Sequence, residues 1–235
     1  MPYFEHNGAN IYYEKKGNWD CIKYPVLLLH GNCEDMTIYD ATIEPLLGKL
    51  PFLAIDTRGQ GKSELVNNDC FFTYEMFADD VYALTSHLGI NQFDIVGFSD
   101  GAITALLLAA NPQTRVHVMR VVSVGANLNP QGMRHSALKQ IAHDKKTADS
   151  RGEKRKSALC EMMLTQPDIK PEYLAQIYAC VAVVTGSNDI IKPAHSELIA
   201  NSIIHAREII LDGADHMIPQ KYPDKLRAVI LDELD

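Results

Sequence analysis

Residues Phe93 to Ala110 read FDIVGFSDGAITALLLAA, and this stretch decides the fold. Phe93, Ile95 and Val96 form a short apolar run of the kind that makes a buried strand. The run stops at Gly97-Phe98-Ser99-Asp100-Gly101, and a helical pattern (Ala102, Ala105, Leu106, Ala109) begins at once. The spacing therefore predicts strand, sharp turn and helix, with a serine at the apex and a glycine two residues to either side. A turn this tight forces its apex residue into strained backbone angles and brings neighbouring backbone close. Glycine at the flanks removes the side chains that would collide. The serine hydroxyl then stands above a helix N-terminus, whose first N–H groups lack internal partners and suit a developing oxyanion.

Working outward, the same alternation continues on both sides. An antiparallel hairpin is expected at the start, because Tyr3–Glu5 and Ile11–Glu14 are β-rich runs around Asn7-Gly8. Pro25–His30 reads as a strand buried on both faces, and Phe52–Asp56 as the next strand. The second opens into the glycine-rich loop Thr57–Ser63. Thr73 caps an amphipathic helix that runs through Leu88 with Phe77, Val81 and Leu84 on one face, and Gly89 ends it. Beyond the serine turn, Val116–Val124, Val181–Thr185 and Glu208–Ile210–Leu211 read as further strands, with a helix entered through Pro193 and a C-terminal helix around Leu226, Val229 and Ile230. These expectations give an α/β fold: a mostly parallel twisted sheet with an N-terminal antiparallel hairpin and helices on both faces. Residues 128–177 break the alternation and are read as a helical cap inserted into a core of residues 1–127 and 178–235.

Sites in such sheets lie at the carboxyl ends of the strands. His30, Asp56, Ser99, Asn127, Asp189 and His216 all fall there, so six polar residues gather on one edge. A serine hydroxyl needs an adjacent base to take its proton, and the base works best when a carboxylate fixes its tautomer. Of nine histidines, only His216 lies just past the final strand, on a loop able to carry its ring over Ser99. His6, His87, His117, His135, His143, His195 and His205 are assigned to surface or packing positions. After the Val118–Val124 strand the chain offers only Asn127, which carries no charge, whereas the next strand offers Asp189. Asp212 and Asp215 are too near His216 in sequence to orient it from behind. The order Ser, Asp, His is the one expected for this architecture. The oxyanion donors are assigned to the backbone N–H groups of Asn32 and Asp100, with Cys33 as the alternative to Asn32. His30 braces the first loop.

These pieces together resemble the α/β-hydrolase superfamily along essentially the whole chain: His30-Gly31, Asp56–Ser63, the Gly97–Gly101 turn, Gly186-Ser187-Asn188-Asp189 and Gly213-Ala214-Asp215-His216. The turn and the following Ile103–Leu106 are most similar to the esterase branch that includes biphenyl-hydrolase-like (valacyclovir-hydrolase-type) proteins, with Ala102 where many of those have glycine. The resemblance implies a catalytic triad of Ser99, Asp189 and His216, a short cap over the site, and cleavage of a small carboxylic ester or related acyl compound with no cofactor and no metal. Lactones, thioesters, amides and vinylogous carbon–carbon bonds stay open as substrates, because they pass through similar tetrahedral species.

Asp100 admits two readings, recognition of a substrate cation or a favourable charge in the first helical turn. Met133, Met162, Met163 and Tyr173 are candidates for the pocket wall, or equally for the cap's own packing. The run Arg151–Lys156 reads as a solvated basic helix face. Gly59–Ser63 lacks the glycine that a phosphate-binding loop needs at position 57, where threonine stands. A serine at the apex argues against the aspartate-nucleophile dehalogenases and epoxide hydrolases of this fold. A binding or receptor protein on the same scaffold is the rival class.

Composition sets the remaining bounds. The 235 residues carry a net charge of −8, with +3 in residues 126–180 and −11 elsewhere, which argues against nucleic acid or anionic membrane as a partner. No apolar run reaches the ~18–20 residues that span a bilayer. Five scattered cysteines without C-x-x-C spacing read as reduced thiols, and a cytoplasmic monomer or homodimer acting on a small acyl substrate is expected.

Overall fold

The computed structural model describes residues 2–21, 23–67 and 69–234. Strands β1 (Tyr3–His6) and β2 (Ala9–Gly17) form the expected hairpin, turning through Asn7 and Gly8 at positive φ, the conformation that a two-residue turn between twisted strands demands. Strands β3 (Val26–Leu29), β4 (Pro51–Ile55), β5 (Glu64–Leu65), β6 (Phe93–Phe98), β7 (Val118–Val124), β8 (Cys180–Gly186) and β9 (Ala206–Leu211) complete one sheet. Its order is β1-β2-β4-β3-β6-β7-β8-β9, with β5 paired to β2. Every pairing from β4 to β9 is parallel, and β2 joins them antiparallel.

Helices α1 (Asp40–Ile43), α2 (Tyr74–His87), α3 (Asp100–Ala110), α4 (His135–Arg151), α5 (Lys154–Thr165), α6 (Pro171–Leu174), α7 (Pro193–Asn201), α8 (Ile218–Lys221) and α9 (Pro223–Leu234) supply the covering layers. Alternation along the strands divides the core in two. Leu27, Leu29, Ile95, Val121 and Val183 face one apolar layer with α2, α3 and α7, while Val26, Leu28, Val96, Val122 and Val184 face another with α9. The strands are hence apolar on both sides, as a covered parallel sheet requires. All eleven residues of α3 are buried, because α3 lies against the centre of the sheet beneath α2.

Local signals act as the sequence suggests. The Thr73 hydroxyl accepts the Met76 N–H at 3.1 Å and starts α2. Gly152, at φ 70°, ends α4 and lets the chain reverse into α5. The Asp56–Ser63 loop closes around a carboxylate: Asp56 accepts the Met36 and Lys62 N–H groups, each at 2.8 Å, and Arg58 forms a buried bidentate pair with Asp80 on α2.

One boundary differs from the expectation. The segment 128–177 does not stand apart as a unit. Leu128, Ile169, Leu174 and Ile177 belong to the main core, and α6 packs on α3 and α7. The part lying over the sheet edge is α4 and α5. Residues 166–177 show no strand pattern of their own and so go with the cap in the sequence, but their apolar side chains Ile169, Leu174 and Ile177 complete the layer beside α3.

The approach of α3 to β3 is the tightest packing constraint. A Cβ on Gly101 would lie 2.0 Å from the Leu29 carbonyl oxygen. Gly101→Ala is expected to lower unfolding free energy by about 3 kcal/mol or to prevent folding. Gly48→Ala, whose added methyl meets open space, should change it by no more than about 0.5 kcal/mol. Urea denaturation of the two variants beside the parent checks both.

Candidate active site

Ser99 sits where β6 becomes α3, at φ 52° and ψ −113°. Its own N–H donates to the Val124 carbonyl at 2.8 Å, and its carbonyl accepts the N–H groups of Ala102 and Ile103, so the strained turn is pinned from both sides. His216 follows β9 and a short loop that Asp215 turns by accepting the Met217 N–H at 3.0 Å. The Nε2 of His216 lies 3.2 Å from Ser99 Oγ, and its Nδ1 lies 2.8 Å from Asp189 Oδ1. The structure thus brings these three side chains into one hydrogen-bonded row.

The ring of His216 is held by its surroundings as well as by its bonds. Phe98 packs at 5.1 Å between ring centres. Gly125 leaves the other space, since a Cβ there would lie 2.8 Å from the imidazole Cε1. Asp189 is 1% exposed, and burial by itself would push its carboxyl pKa up. The bond and charge of His216, together with the N–H groups of Ile191 (3.0 Å) and Gly186 (3.3 Å), outweigh burial and hold it below the ordinary aspartate value. An ionised Asp189 accepts only, so Nδ1 of His216 carries a proton and Nε2 is left to accept from Ser99.

The loop after β3 is braced by His30. This buried ring donates from Nδ1 to the Gly31 carbonyl (2.7 Å) and accepts the Thr57 N–H at Nε2 (3.0 Å). Burial lowers its pKa, which keeps it neutral and able to do both. Of the two oxyanion candidates on this loop, Cys33 donates its N–H to Gln60 Oε1 at 2.6 Å. Asn32 lines the cavity beside Ser99 and Asp100, and among the described residues neither the Asn32 nor the Asp100 N–H has a partner. Burial pushes the Cys33 thiol up to about 11, so it stays protonated.

Asp100 proves to be a brace. One carboxylate oxygen accepts the Asn32 side-chain N–H at 2.8 Å and the other accepts the Tyr74 hydroxyl at 2.9 Å. The residue after the serine therefore ties the loop after β3 to the start of α2. Burial raises its pKa to about 6, against the lowering effect of those two donors. The residue reading offered Asp100 as a cation reader or a dipole partner; its oxygens are engaged by side chains of the fold. Nothing in the sequence marks Tyr74, which there is only the residue after a helix cap. Glu34 was also missed. It lines the cavity, accepts the Gly31 N–H at 3.1 Å, and has its pKa raised by burial to about 7. Its position four residues past His30 was the available signal.

The cavity holds about 250 Å³ and lies between the sheet edge and the helices α4 and α5. Met133 and Met163 line it, together with Ile141, Asp144, Lys156 and Cys160. Two expected wall residues do not. Met162 is 2% exposed and packs into the main core. Tyr173 instead lines a hollow beside α2 and α3, with Glu75 and Leu107. Asn127 lines the cavity but donates to the Asn129 carbonyl, holding its own loop. His195, assigned to packing, accepts the Leu128 N–H at 2.9 Å and joins that loop to α7. No disulfide joins the five cysteines, and no helix among the described residues is long and apolar enough to cross a membrane.

A family model described as the alpha/beta hydrolase fold matches residues 24–162. The uncharacterised hydrolase YraK of Bacillus subtilis is 30% identical over 112 residues, 48% of this chain and 40% of that protein. The human serine hydrolase BPHL is 34% identical over 126 residues, 52% of this chain and 41% of its own length. The matched stretch thus spans about two fifths of either relative. The crystal structure of the enol-lactonase from Burkholderia xenovorans LB400 superposes with a TM-score of 0.80 at 20% identity, covering 98% of both chains, a likeness of fold.

The brace around Asp100 is open to direct measurement. Tyr74→Phe removes a donor that favours the ionised carboxylate, so the Asp100 pKa should rise above its present value of about 6. Carbon-13 NMR titration of labelled aspartate reads the change; a pKa that falls or stays put means the Tyr74 hydroxyl does not support the charge.

Proposed function

Since this chain belongs to the alpha/beta hydrolase fold family, we propose that it is a serine hydrolase that cleaves a small carboxylic ester through an acyl-enzyme. The observation that carries this reading is the row of bonds from Ser99 through His216 to Asp189 at 3.2 and 2.8 Å. In that row Nε2 of His216 takes the Ser99 proton as Oγ attacks the ester carbonyl. Asp189, ionised and buried, holds the imidazole in the right tautomer and stabilises the imidazolium that forms. The carbonyl oxygen becomes an oxyanion held by the free N–H groups of Asn32 and Asp100. His216 then returns the proton to the leaving alkoxide oxygen as the carbon–oxygen bond breaks. A water deprotonated by the same ring attacks the acyl-Ser99 carbonyl and releases the acid.

Pinning of the Ser99 turn supports the reading further, because a nucleophile already fixed in its reactive position needs little reorganisation. The two raised carboxyls also fit. An ionised carboxylate beside a developing oxyanion opposes the reaction, and burial moves both Asp100 and Glu34 toward neutrality. The name of the human relative, a serine hydrolase, agrees with the chemistry. The expected cytoplasmic location and the absence of macromolecular partners stand as part of this proposal.

Turnover of short p-nitrophenyl esters distinguishes an enzyme from a binding protein on the same scaffold. Ser99→Ala is expected to lower kcat by about 10⁴-fold or more, and Asp189→Asn by about 10³ to 10⁴-fold. A parent protein that turns over no ester, lactone or thioester, or one whose rate survives Ser99→Ala, overturns the proposal. Asp100→Asn tests the brace against cation recognition: a brace lowers kcat for amino esters and neutral esters alike, whereas a cation reader changes their ratio.

A further inference from the structure

A second hollow adjoins the catalytic cavity. It holds about 410 Å³ and shares Cys33, Glu34 and Lys156 with the first. One wall is the loop after β3, the floor is the Gly59–Gly61 loop, and the far wall is the beginning of α5, where Lys154, Arg155 and Lys156 stand in succession with Leu159 below them. The sequence reading took this basic run for a solvated face. All six residues of that run are exposed, and its three consecutive cations, Lys154, Arg155 and Lys156, also border this hollow.

Three cations in the first turn of α5 stand at the positive end of the helix dipole, where a nearby anion is favoured. Here none of the three forms an ion pair among the described residues, and the neighbouring Glu153 is engaged with Arg151 at 3.9 Å. The only other acid in the hollow is Glu34, the half-buried carboxyl that bonds to the Gly31 N–H. In a chain of net charge −8 this is a concave positive region beside the reactive serine. The charge also reaches the shared wall: Lys156 opposes the upward push that burial exerts on the thiols of Cys33 and Cys160. The adjoining catalytic cavity is lined in part by Met133, Ile141 and Met163, which suit a methylene chain.

We propose that this hollow binds an anionic tail of the acyl substrate, a carboxylate separated by an apolar spacer from the carbonyl that Ser99 attacks. The proposal rests on the hydrolase reading and narrows it to half-esters of dicarboxylic acids or acyl compounds of the same form. The tail would give Lys154, Arg155 and Lys156 a partner in charge-assisted hydrogen bonds, with the planar Arg155 guanidinium able to meet a carboxylate through two N–H groups.

The test compares mono-p-nitrophenyl esters of dicarboxylic acids with uncharged p-nitrophenyl esters of equal chain length. The parent should favour the anionic ester in kcat/KM, and added salt should weaken that preference. In the double variant Lys154→Gln/Arg155→Gln the anionic-to-neutral ratio should fall about tenfold, mostly through KM. Lys49→Gln, which removes one exposed positive charge outside the hollow, should leave the ratio where it was. An unchanged ratio in the double variant, with neutral esters still cleaved, overturns the tail site and leaves the hydrolase reading standing. Calorimetric titration of the same half-esters into Ser99→Ala protein reads the hollow without turnover. Binding there that depends on Lys154 and Arg155 supports the site even when the parent cleaves nothing, a result that would overturn the hydrolase reading alone. Inorganic phosphate competing more strongly than free dicarboxylates overturns the carboxylate assignment.

Discussion

Contact between the first turn of α3 and the end of β3 sets the geometry on which the rest of this molecule depends. With only hydrogen on Gly101, the helix backbone closes onto the Leu29 carbonyl, and the chain turns from strand to helix within a single residue. That residue is Ser99, left at a positive φ that costs a non-glycine residue on the order of 1–3 kcal/mol. The cost is offset nearby. Eleven consecutive buried residues of α3 are removed from water, and the Ser99 backbone bonds on both sides of the turn. The strain is therefore local, while the stabilisation is spread over the centre of the fold.

Around that turn, buried polar groups hold the loops after β3, β4 and β8. His30 fixes the loop after β3, Asp56 the loop after β4, Asp100 the junction of α2 with the first loop, and Asp189 the loop after β8. Loops at the edge of a parallel sheet lack the regular ladder that satisfies strand backbone, so side chains must accept their N–H groups. The site inherits its rigidity from this arrangement. A hydroxyl, an imidazole and a carboxylate come from the ends of three separate strands and still meet within hydrogen-bond distance.

The carboxyls near the site differ in charge state for a readable reason. Asp189 receives two backbone N–H groups and the imidazole, enough to overcome burial. Asp100 has two side-chain donors and Glu34 one backbone donor, and burial prevails in both, at about 6 and about 7. Of these three, the carboxyl that bonds to the imidazole is the one held below its ordinary value. Negative charge near the developing oxyanion is reduced without removing the side chains that shape the loop.

Short-range chemistry was legible in the sequence. Glycines flanking Ser99, Asn7-Gly8, the Thr73 cap and apolar runs of strand length each act through neighbours a few residues away, so the fold class, the turn and the polar residues at the strand ends could be read from spacing. Met162 and Met163 show where that legibility stops. They are adjacent on α5, yet one packs into the core and the other lines the cavity. A step of about 100° around a helix separates them, and only the packing of α5 against its neighbours sets which side faces in. Tyr173, the Tyr74–Asp100–Asn32 brace and the basic wall beside Glu34 were decided the same way. Their partners lie far off in the chain, and contacts of that kind carry no local pattern until the sheet brings them together.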